Sequence, residues 1–521
     1  MRDADKVRPR AQPIRVADIN LDGTGDICYR GSVGIQCSLA SNAEHSLLKG
    51  ITTAYKNHTQ IEYGFTTDSK VYADDPTIIT GLINVTPNRR VVTQVRTSDG
   101  VGGLKGISYT YQGLKYSTID NEMRAFRFIR EKDETTGYVK TIEFLQDKVL
   151  NGRVAKVTST LNNIALQTVT NSYNVINGKA PKSRVISPKQ TIETRVDYDT
   201  RQTLSTQTTT YNNYTAYGDP QSVSVLIQTP DNSDWNRKTT TTTYWNDEGQ
   251  WLLGKPSVVS VTHQNPLGSL VRKTSFTYDA NGVLQQEVIQ PGDALALTST
   301  FVYDGFGNKT QTTISGTGVN PRTSHVAYDT TGLYPIKQTN ALGHTEAFTY
   351  DSLCGVPLTQ TGPNGLKTQW QYDNLCQKIK EIRADGTSTV WTRAWSQGYS
   401  AGYGIRDNSI YTVTEASSGS ATKTVWYDSL SREVRSAVQG FDSKAATILQ
   451  DKIYDTRGLL IQATLPYDEG HFPGDNSYWV TSKYDTLGRT VEQSKPTAKG
   501  TPIVTRYSSA QQSQILATIA L

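Results

Sequence analysis

Tyr303-Asp304-Gly305-Phe306-Gly307-Asn308-Lys309 decides the fold, because it holds a strand end and a tight turn within a few residues. Phe301 stands two positions before the tyrosine, so both rings fall on one face of a strand of period two. Asp304 can accept hydrogen bonds from its own turn, and Gly307 supplies the positive φ such a turn needs. The same grammar recurs. Tyr-Asp dyads begin at Tyr198, Tyr278, Tyr303, Tyr328, Tyr350, Tyr372, Tyr427, Tyr454 and Tyr484. Tyr278, Tyr303 and Tyr328 are spaced by 25 residues, and Tyr328, Tyr350 and Tyr372 by 22, which is a repeat period. Val196, Phe276, Phe301, Val326, Phe348, Trp370 and Val425 precede their tyrosines by two, while Gly282, Gly307, Gly332, Gly458 and Gly488 follow by four. Asp279, Asp304, Asp329, Asp351, Asp373, Asp428, Asp455 and Asp485 are the corresponding turn starters. A second turn falls inside each period, as in Asn340-Ala-Leu-Gly343, Gly362-Pro-Asn-Gly365 and Ala384-Asp-Gly386. The unit is therefore a β-hairpin, stacked edge to edge on its neighbours with the tyrosine face buried.

Composition agrees with this reading. The 521 residues are rich in Thr, Tyr, Val, Ser, Asn and Gly, with two Met and 19% charged residues, against about 25% in ordinary globular proteins. A chain of this length exceeds one compact core, so several domains or an elongated array are expected. The net charge of +5 is not concentrated in any Lys/Arg block, and nucleic acid is not an expected partner. No run reaches the roughly 18–20 apolar residues of a membrane helix, and mean hydropathy is −0.50. Met1-Arg-Asp-Ala-Asp-Lys6 lacks the apolar centre of a secretory signal, and the strand pattern continues to Leu521. A piece of a longer exported protein is the expectation.

Tyr278-Asp-Ala-Asn-Gly282, Tyr303-Asp-Gly-Phe-Gly-Asn-Lys309 and Tyr484-Asp-Thr-Leu-Gly-Arg489 resemble the YD repeats of Rhs-family proteins, shared with insecticidal toxin complexes and teneurins. Trp251-Leu-Leu-Gly-Lys-Pro256 is similar to a W-L-L-G-x-P segment that bacterial members place ahead of the array. The resemblance implies a spiral of strands forming a hollow β-shell, secreted or at the bacterial cell surface, that encloses a C-terminal toxin and meets toxin-complex partner subunits. Two departures stand against the match. No D-P-x-G block of the kind that closes such shells occurs before Leu521, and Asn121-Glu-Met-Arg-Ala-Phe-Arg-Phe128 replaces a Gly-rich stretch of the middle region.

Near the N-terminus, Asp18-Ile-Asn20-Leu-Asp22-Gly23-Thr24-Gly-Asp26 repeats side-chain oxygens at alternate positions around a glycine, as loops that wrap a hard cation do. Tyr29 stands where an EF-hand needs its bidentate Glu, which excludes that motif. The loop resembles FG-GAP or VCBS repeats of propeller blades, which implies structural Ca2+ held by the side chains of Asp18, Asn20, Asp22 and Asp26 and the carbonyl of Thr24. One loop does not make a propeller, so a partial, propeller-like hairpin is expected. The following segment reads as a hairpin about Ser32-Val33 that sets Cys28 opposite Cys37, at a separation a disulfide can span.

The expected organisation is all-β: a calcium-loop segment over 1–45, an irregular β region over 46–190, and the repeat array over 191–521. Thr59–Gly64 and Arg90–Arg96 read as strands of the middle region. Cys354 and Cys376 each take the place of a turn glycine in successive repeats. Hairpins two strands apart lie about 9–10 Å from one another. These two cysteines are therefore expected to be separate free thiols.

No catalytic residue is assigned. Gly249-Gln-Trp-Leu-Leu-Gly-Lys255 imitates a phosphate loop, but Pro256 replaces the magnesium-binding hydroxyl, and a buried strand turn is expected instead. Gly100-Val-Gly-Gly-Leu-Lys-Gly106 misses the dinucleotide spacing and reads as a hairpin turn. The six His are scattered without metal spacing. A non-enzymatic structural chain is the primary expectation. A carbohydrate-binding adhesin, its Tyr and Trp stacking on glycans, is the alternative, and a β-scaffold glycoside hydrolase is the remoter one. If the loop holds calcium, Asp22→Ala should abolish the calcium-dependent rise in melting temperature and leave the repeat half unchanged. An equal calcium shift in both proteins would contradict the metal assignment.

Overall fold

The computed structural model describes residues 15–17, 26–31, 34–38, 47–177, 184–399, 407–440, 447–469, 478–497 and 501–507. Among these no α-helix occurs, and the chain is all-β, as expected. It divides into two compact units, one of residues 1–99 and 103–155, the other of 100–102 and 156–521. The division lies upstream of the 190/191 boundary, because the long strands Ile164–Asn177 and Arg184–Val196 already belong to the ladder that carries the repeats.

In the first unit, the strands His58–Phe65, Arg90–Ser98, Leu104–Gln112, Phe128–Asp133 and Val139–Phe144 pair in antiparallel order, with Tyr72–Ala73 added in parallel. The second of these ends at Ser98 and the third begins at Leu104, so Leu104–Gly106 of the glycine-rich segment is strand and its earlier residues are turn. A small sheet of Leu82–Asn84, Lys115–Ser117 and Glu122–Met123 sets the buried Lys115 ammonium against Thr77 O at 2.8 Å and Asn84 Oδ1 at 2.9 Å. Leu114, Tyr72 and Val71 form the apolar part of that core. Asp26–Gly31 and Gly34–Ser38 make the expected hairpin, with Cys28 paired to Cys37.

The second unit is a strip of antiparallel strands in which each pairs with the next along the sequence for most of its length. The extensive contacts of its strands are with their ladder neighbours. The repeat face differs from expectation. The repeat tyrosines Tyr278, Tyr303, Tyr328, Tyr350, Tyr372, Tyr427, Tyr454 and Tyr484 are half-buried, not buried, and of the apolar residues two before them Val425 alone is buried.

Each repeat turn is built alike. The register slips by one residue immediately before Tyr278, Tyr303, Tyr328, Tyr350, Tyr372, Tyr427, Tyr454 and Tyr484, so a β-bulge re-aims every one of these tyrosines. The following Asp then gathers the turn amides. Asp304 Oδ1 accepts from Phe306 N and Asn308 N, both at 2.9 Å, and Asp373 Oδ1 does the same with Leu375 N and Gln377 N. Gly307 (φ 85°) and Gly488 (φ 81°) close their turns in the left-handed region.

Tyr198 is a correction. Its dyad lies inside a turn, and Val196-Asp197 occupies the repeat position: the register slips before Val196, and Asp197 Oδ1 accepts from Asp199 N and Thr200 N. Two residues of offset put Tyr198 beyond the strand end, where its hydroxyl accepts from Asn162 Nδ2 at 2.9 Å.

The caps carry a pH signature. The Thr331 hydroxyl, and then the Tyr334 amide, hold the Asp329 carboxyl below its ordinary range, and Thr387 does so for Asp385 through its hydroxyl and amide. Folded-state values below the unfolded ones give stability that is present above the usual carboxylate range and lost as pH falls through the folded values. The melting temperature should therefore drop progressively as pH is lowered below about 4. A flat profile down to about pH 2 would contradict the capping role.

Candidate functional site

The repeat lattice itself is the site, and its key contact was not legible from spacing. The tyrosine hydroxyls reach across to the strand that returns from the preceding turn and donate to a main-chain carbonyl. Tyr278 bonds Pro256 O at 2.9 Å, Tyr303 bonds Leu284 O at 2.8 Å, and Tyr372 bonds Pro357 O at 2.9 Å. Tyr454 bonds Glu433 O at 3.1 Å and Tyr484 bonds Leu460 O at 2.8 Å. Each ring thus latches its hairpin to the one before. Tyr214 and Tyr244, which no Asp follows, make the same reach to Pro188 and Pro220, so the latch begins upstream of the dyads. Burial raises the pKa of the Tyr278, Tyr303 and Tyr372 hydroxyls, keeping them protonated donors.

Where the hydroxyl bond is missing, ring stacking replaces it. Tyr350 stacks on Tyr334 and Tyr427 on Tyr411, each pair with centroids 5.0 Å apart. Tyr328 has neither contact among the described residues. Beside it the surface opens into a shallow cleft of about 660 Å³, lined among others by Phe306, Gln311, His325 and Lys337. Phe306 lies against Gly332, where an added Cβ would meet its ring at 2.5 Å.

A second feature is a buried polar knot where the ladder forks. Strand Ile448–Tyr454 pairs with Glu433–Val438 on one side and with both Leu460–Thr464 and Tyr467–Asp468 on the other. Arg435 clasps the fully buried Asp451 with two bonds, at 2.6 and 3.1 Å, and the Tyr467 hydroxyl donates to the same carboxylate at 2.5 Å. The guanidinium lies over the Tyr399 ring, 3.9 Å from its centroid. Burial, and then the Asp451 carboxylate, push the Tyr467 hydroxyl well above its ordinary value. Tyr467-Asp468 is a further dyad that falls outside the repeat period; its tyrosine serves this knot, and only its burial in the fold reveals that.

The strip also returns on itself. Arg489, in the turn after strand Trp479–Tyr484, bonds Asp199 at 3.2 Å across 290 residues, besides pairing with Asp485 at 2.5 Å. The strands ending at these two turns run in opposite senses in the ladder, so one long edge of the strip meets the other. The second unit is therefore coiled.

The remaining sequence candidates divide as follows. Asp18, Asn20, Asp22 and Thr24 lie outside the described residues, as does the side chain of Asp26. Among the described residues no group of His, Cys, Asp and Glu is arranged to hold a metal. Cys28 and Cys37 form a disulfide, with Cα atoms 4.1 Å apart. Cys354 and Cys376, expected as free thiols, are also joined, with Cα atoms 5.5 Å apart. The pitch between equivalent strands does not apply to turn residues, which leave the strand grid and lean toward the neighbouring turn. Only Cys376 takes the left-handed turn position (φ 61°); after Tyr350 that role passes from Cys354 to Gly355 (φ 69°). The phosphate-loop mimic runs from an exposed turn, with Trp251 at φ 58° and 74% exposed, into the half-buried start of strand Leu252–Asn265, and is not a buried turn.

No family model and no curated protein matches the chain in sequence. Solved structures do match in fold. A TcdB2-TccC3 structure without its hypervariable C-terminal region aligns over 98% of this chain and 40% of its own, with TM-score 0.59 and 9% identity. A TcdB2-TccC3-Cdc42 structure aligns over 95% of this chain and 37% of its own (TM-score 0.61, 10% identity). A Photorhabdus luminescens Tc holotoxin pore aligns over 98% and 40% (TM-score 0.57, 10% identity). The chain has the β-shell fold of these toxin-complex chains and spans about two fifths of their length.

Proposed function

We propose that this chain is a non-enzymatic wall segment of a bacterial Rhs or toxin-complex-like exported protein, whose role is to enclose a C-terminal toxin and assist its delivery. The observation that carries the reading is the coiled strip, in which repeated tyrosine latches join successive hairpins and Arg489 brings one edge back to the other. A wall of this build encloses space without a packed interior. The likeness to TcdB2-TccC3 chains supports the reading at the level of fold. Two disulfides support an oxidising destination, and with it secretion or the cell surface. Structural calcium in the N-terminal loop belongs to the same reading, as do toxin-complex subunits as partners.

The test uses the intact gene product with whatever flanks this segment. A polypeptide encoded downstream should resist protease while the repeat region is folded and be cut rapidly when expressed alone. Equal cleavage rates in the two settings would overturn the proposal.

A further inference from the structure

We propose that the Cys354–Cys376 disulfide is a redox-cleavable staple between two successive repeats, opened by low-molecular-weight thiols. Its sequence separation of 22 residues equals the local repeat, so it links equivalent turns of adjacent hairpins along one edge of the strip. The turn chemistry gives neither cysteine a reason to be there. Cys376 holds a left-handed φ of 61° that glycine fills in five of its sister turns, with φ of 75° at Gly282, 85° at Gly307, 71° at Gly332, 92° at Gly458 and 81° at Gly488. Cys354 displaces the left-handed position onto Gly355. Both turns thus depart from their pattern, and the cross-link is what the departures have in common.

The staple also sits where the ladder is short. Strands Pro357–Thr361 and Lys367–Tyr372 are joined by a register that runs only from Thr359↔Gln369 to Thr361↔Lys367, whereas Trp235–Asp247 and Leu252–Asn265 are paired from Arg237↔Gln264 to Asp247↔Leu252. Apart from the disulfide, the Tyr372 latch to Pro357 is the side-chain bond that closes this seam on the tyrosine side. Reagents have access. Cys376 is exposed and Cys354 half-buried, and their neighbours Leu353 and Leu375 are 93% and 77% exposed.

A thiolate attacks Sγ of Cys376, a new S–S bond forms there, and Cys354 departs as a thiolate and takes up a proton. A second thiol then resolves the mixed disulfide, so two cysteine thiols are formed as two reagent thiols are oxidised to one disulfide. Opening the link releases the closed loop and loosens the seam between the two hairpins. This inference stands apart from the shell reading. If both hold, the wall carries a seam that weakens in a reducing compartment, and because the test contains no cargo, its failure is distinct from a failure of that reading.

The experiment uses the full chain with Cys28→Ser and Cys37→Ser, leaving one disulfide, and dithiothreitol as the probe. Two thiols should titrate only after reduction, and amide exchange over 351–377 should then quicken by at least roughly tenfold while Thr203–Tyr214 is unchanged. Adding Cys354→Ala and Cys376→Gly, which restores glycine to the left-handed position, should give fast exchange over the same residues with no response to dithiothreitol. Two reactive thiols before reduction, or unaltered exchange over 351–377 once both thiols titrate, would overturn the proposal.

Discussion

The constraint on which the repeat unit depends is that a long strip of short hairpins must be held together from each hairpin to the next. Every strand needs its neighbour for its backbone hydrogen bonds, and the repeat tyrosines are only half-buried, so contacts between successive hairpins matter alongside burial. The tyrosine latch answers this by bonding the ring of one hairpin to a carbonyl of the last, as Tyr303 does to Leu284 and Tyr484 to Leu460. The bulge before each tyrosine aims the ring, and the Asp that follows satisfies the turn amides. Bulge, latch and cap form one device, repeated at the sequence period. The stability of such a strip is a sum of units and of the contacts between neighbours.

Much of this device was legible in the sequence because it is local. The Tyr-Asp period, the apolar residue two before and the turn glycine four after all lie within a few residues, and Phe301, Asp304 and Gly307 act as their spacing implies. The partner of the tyrosine hydroxyl was not legible, since Pro357 O and Leu460 O belong to other strands and carry no side-chain signal. Tyr214 and Tyr244 were passed over for want of an aspartate, although their rings make the same reach. Tyr198 was included on its dyad alone, and its offset of two from Val196 is visible only in the register. The expectation of free thiols at Cys354 and Cys376 failed for a related reason: strand pitch governs strand residues, and turn residues leave the grid.

Irregularities mark where the strip does more than repeat. At the fork, Arg435, Asp451 and Tyr467 replace apolar packing with a buried, fully engaged ion pair, which favours one arrangement of three competing strands over the others. At Arg489 and Asp199 two distant turns meet through an ion pair with part of its surface exposed, so the return of the strip rests on strand twist and coiling more than on that contact.

The measurement that tests the latch most directly is a set of single Tyr→Phe replacements, each removing a hydroxyl and leaving the ring. Urea unfolding monitored together with amide exchange should show a loss of about 0.5–1.5 kcal/mol at Tyr278, Tyr303, Tyr372 and Tyr484, localised to the hairpin before each, and almost none at Tyr328, Tyr350 and Tyr427. Uniform losses at all seven positions, or none at any, would contradict the claim that these hydroxyls join the repeats.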